Sequence, residues 1–251
     1  MNQVRPDRQQ RSSSALKPLN LVNRIREARQ LYRREQQDTG EHVFTTISSV
    51  QQCSRLLLEH FGLTLGGLEI LEIGPGPRLE HMRALCVLNE VTGIDRDIVL
   101  QGTSLRDCVE LFRSSPALEA AKTVTRKLLS WDRLFEKTLA GTLGVQRFPR
   151  LNVLRMDATR MTFPEASFDL VCSWSAFEQS DKPQAALAEV VRVLRPGGVA
   201  YLSTRLDTGR NEAWKQVFQD AMPGVRFIPE RQEPPTGFLI SLWQKPPAGP
   251  A

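Results

Sequence analysis

The sequence predicts an α/β domain built on an open sheet with helices on both faces. Three observations predict it. Short apolar runs such as LEILEI (68–73) and FDLVCSWS (168–175) alternate with stretches of helical periodicity, the pattern of strands buried on both faces. A Gly-Pro-Gly-Pro turn follows the first run directly, at the kind of place where such sheets bind ligands. The chain has 251 residues, 41% of them hydrophobic, which is enough for one sizeable core.

Residues 1–19 are rich in Arg, Gln and Ser and are expected to form a disordered basic arm. Leu21, Ile25, Ala28 and Tyr32 then follow helical spacing over 20–36, with Arg24, Arg26, Arg33 and Arg34 off that stripe. A second helix is expected over 43–61, with Ile47, Val50, Leu57 and Phe61 buried; Gly62, Gly66 and Gly67 end it. Residues 20–67 thus read as an N-terminal helical lid, and 68–251 as the main domain. Its strands are expected at 68–73, 91–95, 151–157, 168–175, 198–205, 225–230 and 237–245. Its helices are expected at 79–89, 183–195 and 211–222. Between Asp95 and Leu151 lie 55 residues, far more than a plain crossover needs. Ala121, Val124, Leu128, Trp131 and Phe135 form a helical stripe there, bordered by Lys122, Arg126, Lys127, Arg133 and Lys137. A helical insertion over about 100–148 is the reading.

The net charge is +5, but residues 1–36 carry eight Arg and one Lys against Asp7, Glu27 and Glu35, a net +6 that leaves −1 for the rest. Basicity belongs to the arm, and a solvated tail is its plain explanation. No run of 18 apolar residues occurs, and the N-terminus lacks a secretory apolar core, so a cytoplasmic protein is expected. Cys53, Cys86, Cys108 and Cys172 make no C-x-x-C pair. His42, His60 and His81 complete no metal pattern with them, so free thiols and no metal are expected.

Gly74 and Gly76 permit positive φ and place no Cβ in a ligand's way. Two ligand classes use such a turn. Dinucleotides call for G-x-G-x-x-G and an acid about 20 residues on. Asp95 stands 21 residues after Gly74, but the third glycine position is Leu79. Glu72, two residues before the turn, would repel a pyrophosphate and welcome a cation.

The stretch I-L-E-I-G-P-G-P (70–77) resembles the first motif of class I S-adenosylmethionine-dependent methyltransferases, with Pro77 in place of a last glycine. The resemblance continues through V-T-G-I-D (91–95), M-D-A (156–158), F-P-E-A-S-F-D-L-V-C-S-W-S-A-F-E-Q (163–179) and R-V-L-R-P-G-G-V-A-Y-L-S (192–203), in the family's order. It implies a Rossmann-like, doubly wound, mostly parallel seven-stranded sheet and S-adenosyl-L-methionine as cofactor. In the family's pattern Glu72 serves the methionine moiety behind Gly74 and Gly76. Asp95 takes both ribose hydroxyls, with Arg96 beside it. Asp157 and the Ala158 N–H address the adenine, with Met156 and Met161 against its face. Ser173 and Trp174 end the fourth strand where the methyl group faces its acceptor. Arg195-Pro196-Gly197-Gly198 reads as a structural turn.

Methyl transfer from a sulfonium is an in-line displacement in which the protein aligns and desolvates. A hydroxyl acceptor gains from a general base. Glu178, Asp181 and His42 are the candidates; family relatives often carry a histidine where this chain has Gln179. No [DNS]-P-P-[FYW] stands at 173–176, no glutamate-paired loop is present, and Cys172 lies inside a strand without a preceding proline. Amino methylation of adenine, arginine methylation and cytosine-C5 chemistry are thereby set aside. O-methylation of a sugar, glycan or other small or lipid-linked acceptor remains. The basic, aromatic 122–137 is loosely similar to inserts in bacterial methyltransferases of surface-glycan synthesis and would suit peripheral membrane contact. The alternatives are an RNA or other nucleic-acid methyltransferase using the basic arm, a non-catalytic cofactor-binding protein and, last, a nicotinamide-dependent oxidoreductase.

Overall fold

The computed structural model describes residues 21–97, 99, 109, 131–174, 176, 180, 182–205, 226–231 and 238–247, with side chains from Asp38 onward for most of them. The expected arm (1–19), most of the insertion and the 211–222 helix lie outside the described residues. One sheet of seven strands organises the rest: β1 (Glu69–Ile73), β2 (Glu90–Asp95), β3 (Asn152–Arg155), β4 (Phe168–Trp174), β5 (Leu194–Arg205), β6 (Arg226–Arg231) and β7 (Phe238–Gln244). Their order is β3-β2-β1-β4-β5-β7-β6. β1 to β5 pair in parallel, and β7 runs antiparallel between β5 and β6. The order reverses between β1 and β4, the switch point at which a crevice opens beyond the strand ends.

Alternation along each strand sorts side chains onto two faces. Leu71 and Ile73 of β1 and Val171 of β4 pack with Ala186, Leu187, Val190 and Val193 of a helix at Pro183–Val193. Ile70, Leu170 and Cys172 face the other way, onto Cys53, Leu56 and Leu57 of α1 (Leu21–Phe61) and Met82 and Leu85 of α2 (Glu80–Leu85). The remaining helices are α3 (Trp131–Leu143) and α4, the Pro183–Val193 helix just described.

Three elements differ from expectation for identifiable reasons. The two N-terminal helices are one helix of 41 residues. Thr39, Val43, Thr46, Cys53 and Leu57 are all buried and continue one stripe at spacings of three, four and their sum. Two threonines hide that stripe from a hydrophobicity reading. Thr46 Oγ1 donates to the His42 carbonyl at 2.9 Å and so needs no outside partner. Gly40 costs the helix about 1 kcal/mol; packing of Val43 and Ile47 against Phe135, Leu139 and Leu143 of α3 offsets it. α2 stops at Leu85, short of 89, because Asn89 turns back on it: its Nδ2 donates to the Leu85 carbonyl at 2.9 Å and its Oδ1 accepts from Leu68 N–H at 3.1 Å. The 195–198 turn lies inside an irregular β5, where the register against β4 shifts between Phe168 and Leu170. Gly197 takes φ 82° there, and its N–H donates to the Lys245 carbonyl at 2.9 Å.

Arg83 ties the insertion to the sheet. It is 5% exposed, pairs with Glu136 of α3, and its Nε donates to the Arg78 carbonyl at 3.1 Å. Its guanidinium also lies 5.8 Å from the centre of the Phe148 ring. A buried cation that loses its partners is costly, whereas the half-buried Glu136 can turn to water. Arg83→Ala is therefore expected to lower stability by about 1–3 kcal/mol. In a denaturation cycle, Glu136→Gln added to Arg83→Ala should cost less than it does in the parent; additive effects would show that the pair carries no coupling.

Candidate functional site

The carboxyl ends of β1, β2, β3 and β4 enclose a cleft of about 690 Å³. The glycine turn forms its floor. Gly74 and Gly76 take φ 67° and 68°, and Gly74 N–H donates to the Ile94 carbonyl at 2.8 Å, stitching the turn to β2. A Cβ on Gly74 would stand 2.3 Å from the Ala176 methyl, which descends from the end of β4. A Cβ on Gly76 would meet nothing within 4 Å, which leaves the turn open on the cleft side. Leu79, at the position where a dinucleotide turn wants its third glycine, is itself left-handed at φ 56°. Burying its side chain to 1% exposure offsets a strain of about 1–2 kcal/mol. The close approach of helix to strand occurs instead at Gly93, where a Cβ would lie 2.6 Å from Met82 Sδ.

Gly74, Gly76, Asp95, Arg96, Asp157, Ala158 and Trp174 all line the cleft, so the fold gathers most of the residues read from the sequence. Asp95 ends β2. Burial pushes its carboxyl above the ordinary value, while N–H groups of Asp97, Gly76 and Arg96 work against that. Asp157 is the opposite case. The Thr159 N–H and hydroxyl both donate to its Oδ1 at 2.9 Å and hold it below the ordinary carboxylate range. Arg96 reaches its other oxygen at 3.6 Å across the cleft mouth.

The other sequence candidates fall elsewhere. Ser173 points into the sheet and is fully buried, not in the cleft wall, because strand alternation turns it away from Trp174. His42 is exposed on α1 beside the Val43 contact to α3 and does not line the cleft. Glu178 and Asp181 lie outside the described residues. Among the described residues, no group of three or more His, Cys, Asp or Glu is placed to hold a metal ion, and no helix is long and apolar enough to cross a membrane.

Glu72 sits beneath the turn, 1% exposed, and its Oε2 has no hydrogen-bond partner among the described residues. Burial, helped by Glu80, pushes its carboxyl up to about 8. His81 is the neighbour that sequence reading passed over. Its Nδ1 lies 4.0 Å from Glu72 Oε1, and its ring stacks on Trp174. Burial lowers its pKa to about 4. Nothing local signals this pairing, since Trp174 reaches His81 from the far side of the switch point.

Residues 115–202 match the family described as methyltransferase domain. That match spans α3, β3, β4, α4 and most of β5, and leaves the glycine turn outside. Over 56 residues the chain is 38% identical to a demethylmenaquinone methyltransferase of Renibacterium salmoninarum, covering 22% of this chain and 24% of that one. Over 86 residues it is 35% identical to the phthiotriol/phenolphthiotriol dimycocerosates methyltransferase of Mycobacterium tuberculosis, covering 34% of this chain and 31% of that one. The chain thus spans about a quarter to a third of the length of these curated relatives. A solved Methanococcus maripaludis structure, described as a candidate S-adenosyl-L-methionine-dependent methyltransferase, shares the fold with a TM-score of 0.51 at 12% identity, over 85% of this chain and 93% of that one. The methyltransferase resemblance read from the sequence is borne out by the family match and the fold.

Two outcomes follow from the geometry. Gly74→Ala should strain φ and drive the turn against Ala176; a fall in melting temperature checks it, and an unchanged value refutes the close approach. A Glu72 carboxyl raised from its ordinary 4.5 to about 8 binds a proton in the folded state that the unfolded state has lost. Its contribution to stability is full below about pH 4.5 and drains away as pH rises through 8. Glu72→Gln should flatten that part of the stability–pH curve relative to the parent.

Proposed function

We propose that this chain, with its methyltransferase domain on a doubly wound sheet, binds S-adenosyl-L-methionine in the cleft and methylates a hydroxyl of a sugar, glycan or lipid-linked small molecule. The observation that carries this reading is the placing of two acids near the ends of adjacent strands, Asp95 in the wall of the cleft and Glu72 buried beneath its glycine floor. An orphaned buried carboxyl oxygen suits an ammonium group. A second carboxylate one strand away suits a diol, since each of its oxygens can accept a hydrogen bond. A pyrophosphate would find no such use for Glu72, since it cannot balance the charge of an ionised carboxylate there.

The bound cofactor supplies an activated methyl group on a sulfonium. This chain's residues supply the rest. Glu72 holds the amino-acid end, Asp95 the ribose, and Asp157 with the Ala158 N–H the adenine edge. Asp157 is suited to that task because Thr159 keeps it ionised and fixed. Met156, half-buried in the cleft wall, offers the ring a polarisable face. Trp174 bounds the end of the cleft above β4 and helps keep water from the reacting centre. Two observations favour a small or lipid-like acceptor. The relatives matched are named for demethylmenaquinone and for phthiotriol and phenolphthiotriol dimycocerosates. The chain's excess positive charge is confined to residues 1–36.

Calorimetric titration with S-adenosylmethionine, S-adenosylhomocysteine and NAD tests the cofactor. Binding of the first two, and not of NAD, is expected. Asp95→Ala should weaken it by about 1–3 kcal/mol; unchanged affinity in a folded variant would displace the ribose from Asp95. Affinity should rise with pH from about 6 to 8, because an ammonium ligand favours the ionised form of Glu72. In Glu72→Gln that rise should be absent. With methyl-labelled donor, label is expected in lipid or glycan fractions; label in RNA or DNA would replace this acceptor class.

A further inference from the structure

His81 belongs to the first turn of α2, directly behind the glycine turn, and its ring lies between Glu72 and Trp174. Nδ1 faces Glu72 Oε1 at 4.0 Å. The ring lies flat on Trp174, with centroids 4.1 Å apart and planes 3° from parallel, and Trp174 lines the cleft. Nε2 points from the opposite edge of the imidazole and makes no hydrogen bond among the described residues, while the side chain remains 17% exposed. The chain's other histidines are placed differently. His42 is exposed away from the cleft, and His60 packs edge-on to Phe61 of its own helix.

Building on the methyltransferase reading, we infer that His81 Nε2 is the proton acceptor of the transfer, oriented through Nδ1 by Glu72. As the acceptor oxygen forms its bond to the methyl carbon, the carbon–sulfur bond breaks with its electron pair going to sulfur. The hydroxyl proton passes to Nε2, and the imidazolium so formed lies beside the Glu72 carboxylate. Glu72 has an oxygen for each duty: Oε2, unpartnered, for the cofactor's ammonium, and Oε1 for His81. The two tasks are therefore coupled. In the empty protein burial keeps the proton on Glu72 and off His81. When an ammonium ligand ionises Glu72, the imidazole gains an adjacent carboxylate and a higher proton affinity.

The other groups near the pair do not compete for that change. Cys53 of α1, Cys172 of β4 and Tyr201 of β5 are all pushed up by burial and stay neutral. Glu80 adds a negative charge from α2, and Arg83 is committed to Glu136. Glu72 is the group whose charge follows ligand binding.

The test uses the full chain with labelled histidine, whose three imidazoles are followed by NMR across pH with and without S-adenosylhomocysteine. The His81 midpoint should rise by about one pH unit or more on binding, and Glu72→Gln should abolish the rise. Diethyl pyrocarbonate, mapped by mass spectrometry, should acylate His81 in the unsubstituted, unliganded chain, which needs no variant to fold. If calorimetry shows no S-adenosylhomocysteine binding, the cofactor reading fails and this inference with it. If the ligand binds and the midpoint stays, or if His81 resists acylation, only the inference is overturned.

Discussion

Gly74 leaves β1 with a φ of 67°, and the space that its missing side chain vacates is taken by the Ala176 methyl. Much of the site follows from that contact. It brings the turn after β1 and the segment after β4 together at the point where the strand order reverses. Because the turn is also bonded to the Ile94 carbonyl of β2, its two glycines are held between neighbouring strands. Asp95 and Trp174 then face one cleft from either side. The left-handed Leu79 continues the same device: the chain must reverse sharply into α2, and a buried leucine anchors the reversal where glycine would merely permit it.

Beneath this turn the protein keeps a polar layer that packing alone would not favour. Glu72 is buried with one oxygen unpartnered, and its row-mates across the sheet are Gly93, Cys172 and Tyr201. A hydrophobic residue at 72 would pack without that penalty. Burial makes this carboxyl hold its proton more tightly than usual, and it ionises when a cation arrives to balance its charge. In the reading proposed here that is the cofactor's ammonium group, with His81 sensing the change from the other oxygen.

The covering elements are attached to this layer and are not independent of it. α2 carries His81 against Glu72 and Trp174, and two residues on it carries Arg83 toward α3. α3 in turn packs against α1 through Phe135, Leu139 and Val43. The helix that leaves the glycine turn therefore links the site to the helices laid over one face of the sheet.

Much of this was legible from residues alone. The central strands, buried on both faces, read as apolar runs, and strands are found at all seven expected places. The glycine turn with Glu72 and Asp95 is a local signal, because strand end, turn and next strand end lie close in sequence. The long α1 was not legible, since its buried stripe passes through Thr39 and Thr46, polar residues that a hydrophobic periodicity does not count. The place of Glu72 was half legible: its presence at the turn was plain, but its position under the turn, facing His81, was not. Ser173 and Trp174 were read as equivalent; strand alternation, set by which face each residue meets, buries the one and sends the other to the cleft. The sequence by itself determined the sheet, the turn and the acids that flank it, because those depend on near neighbours. The tertiary structure alone decided the His81–Trp174 stack and the Arg83 tie, because each joins side chains that only the closed sheet brings together.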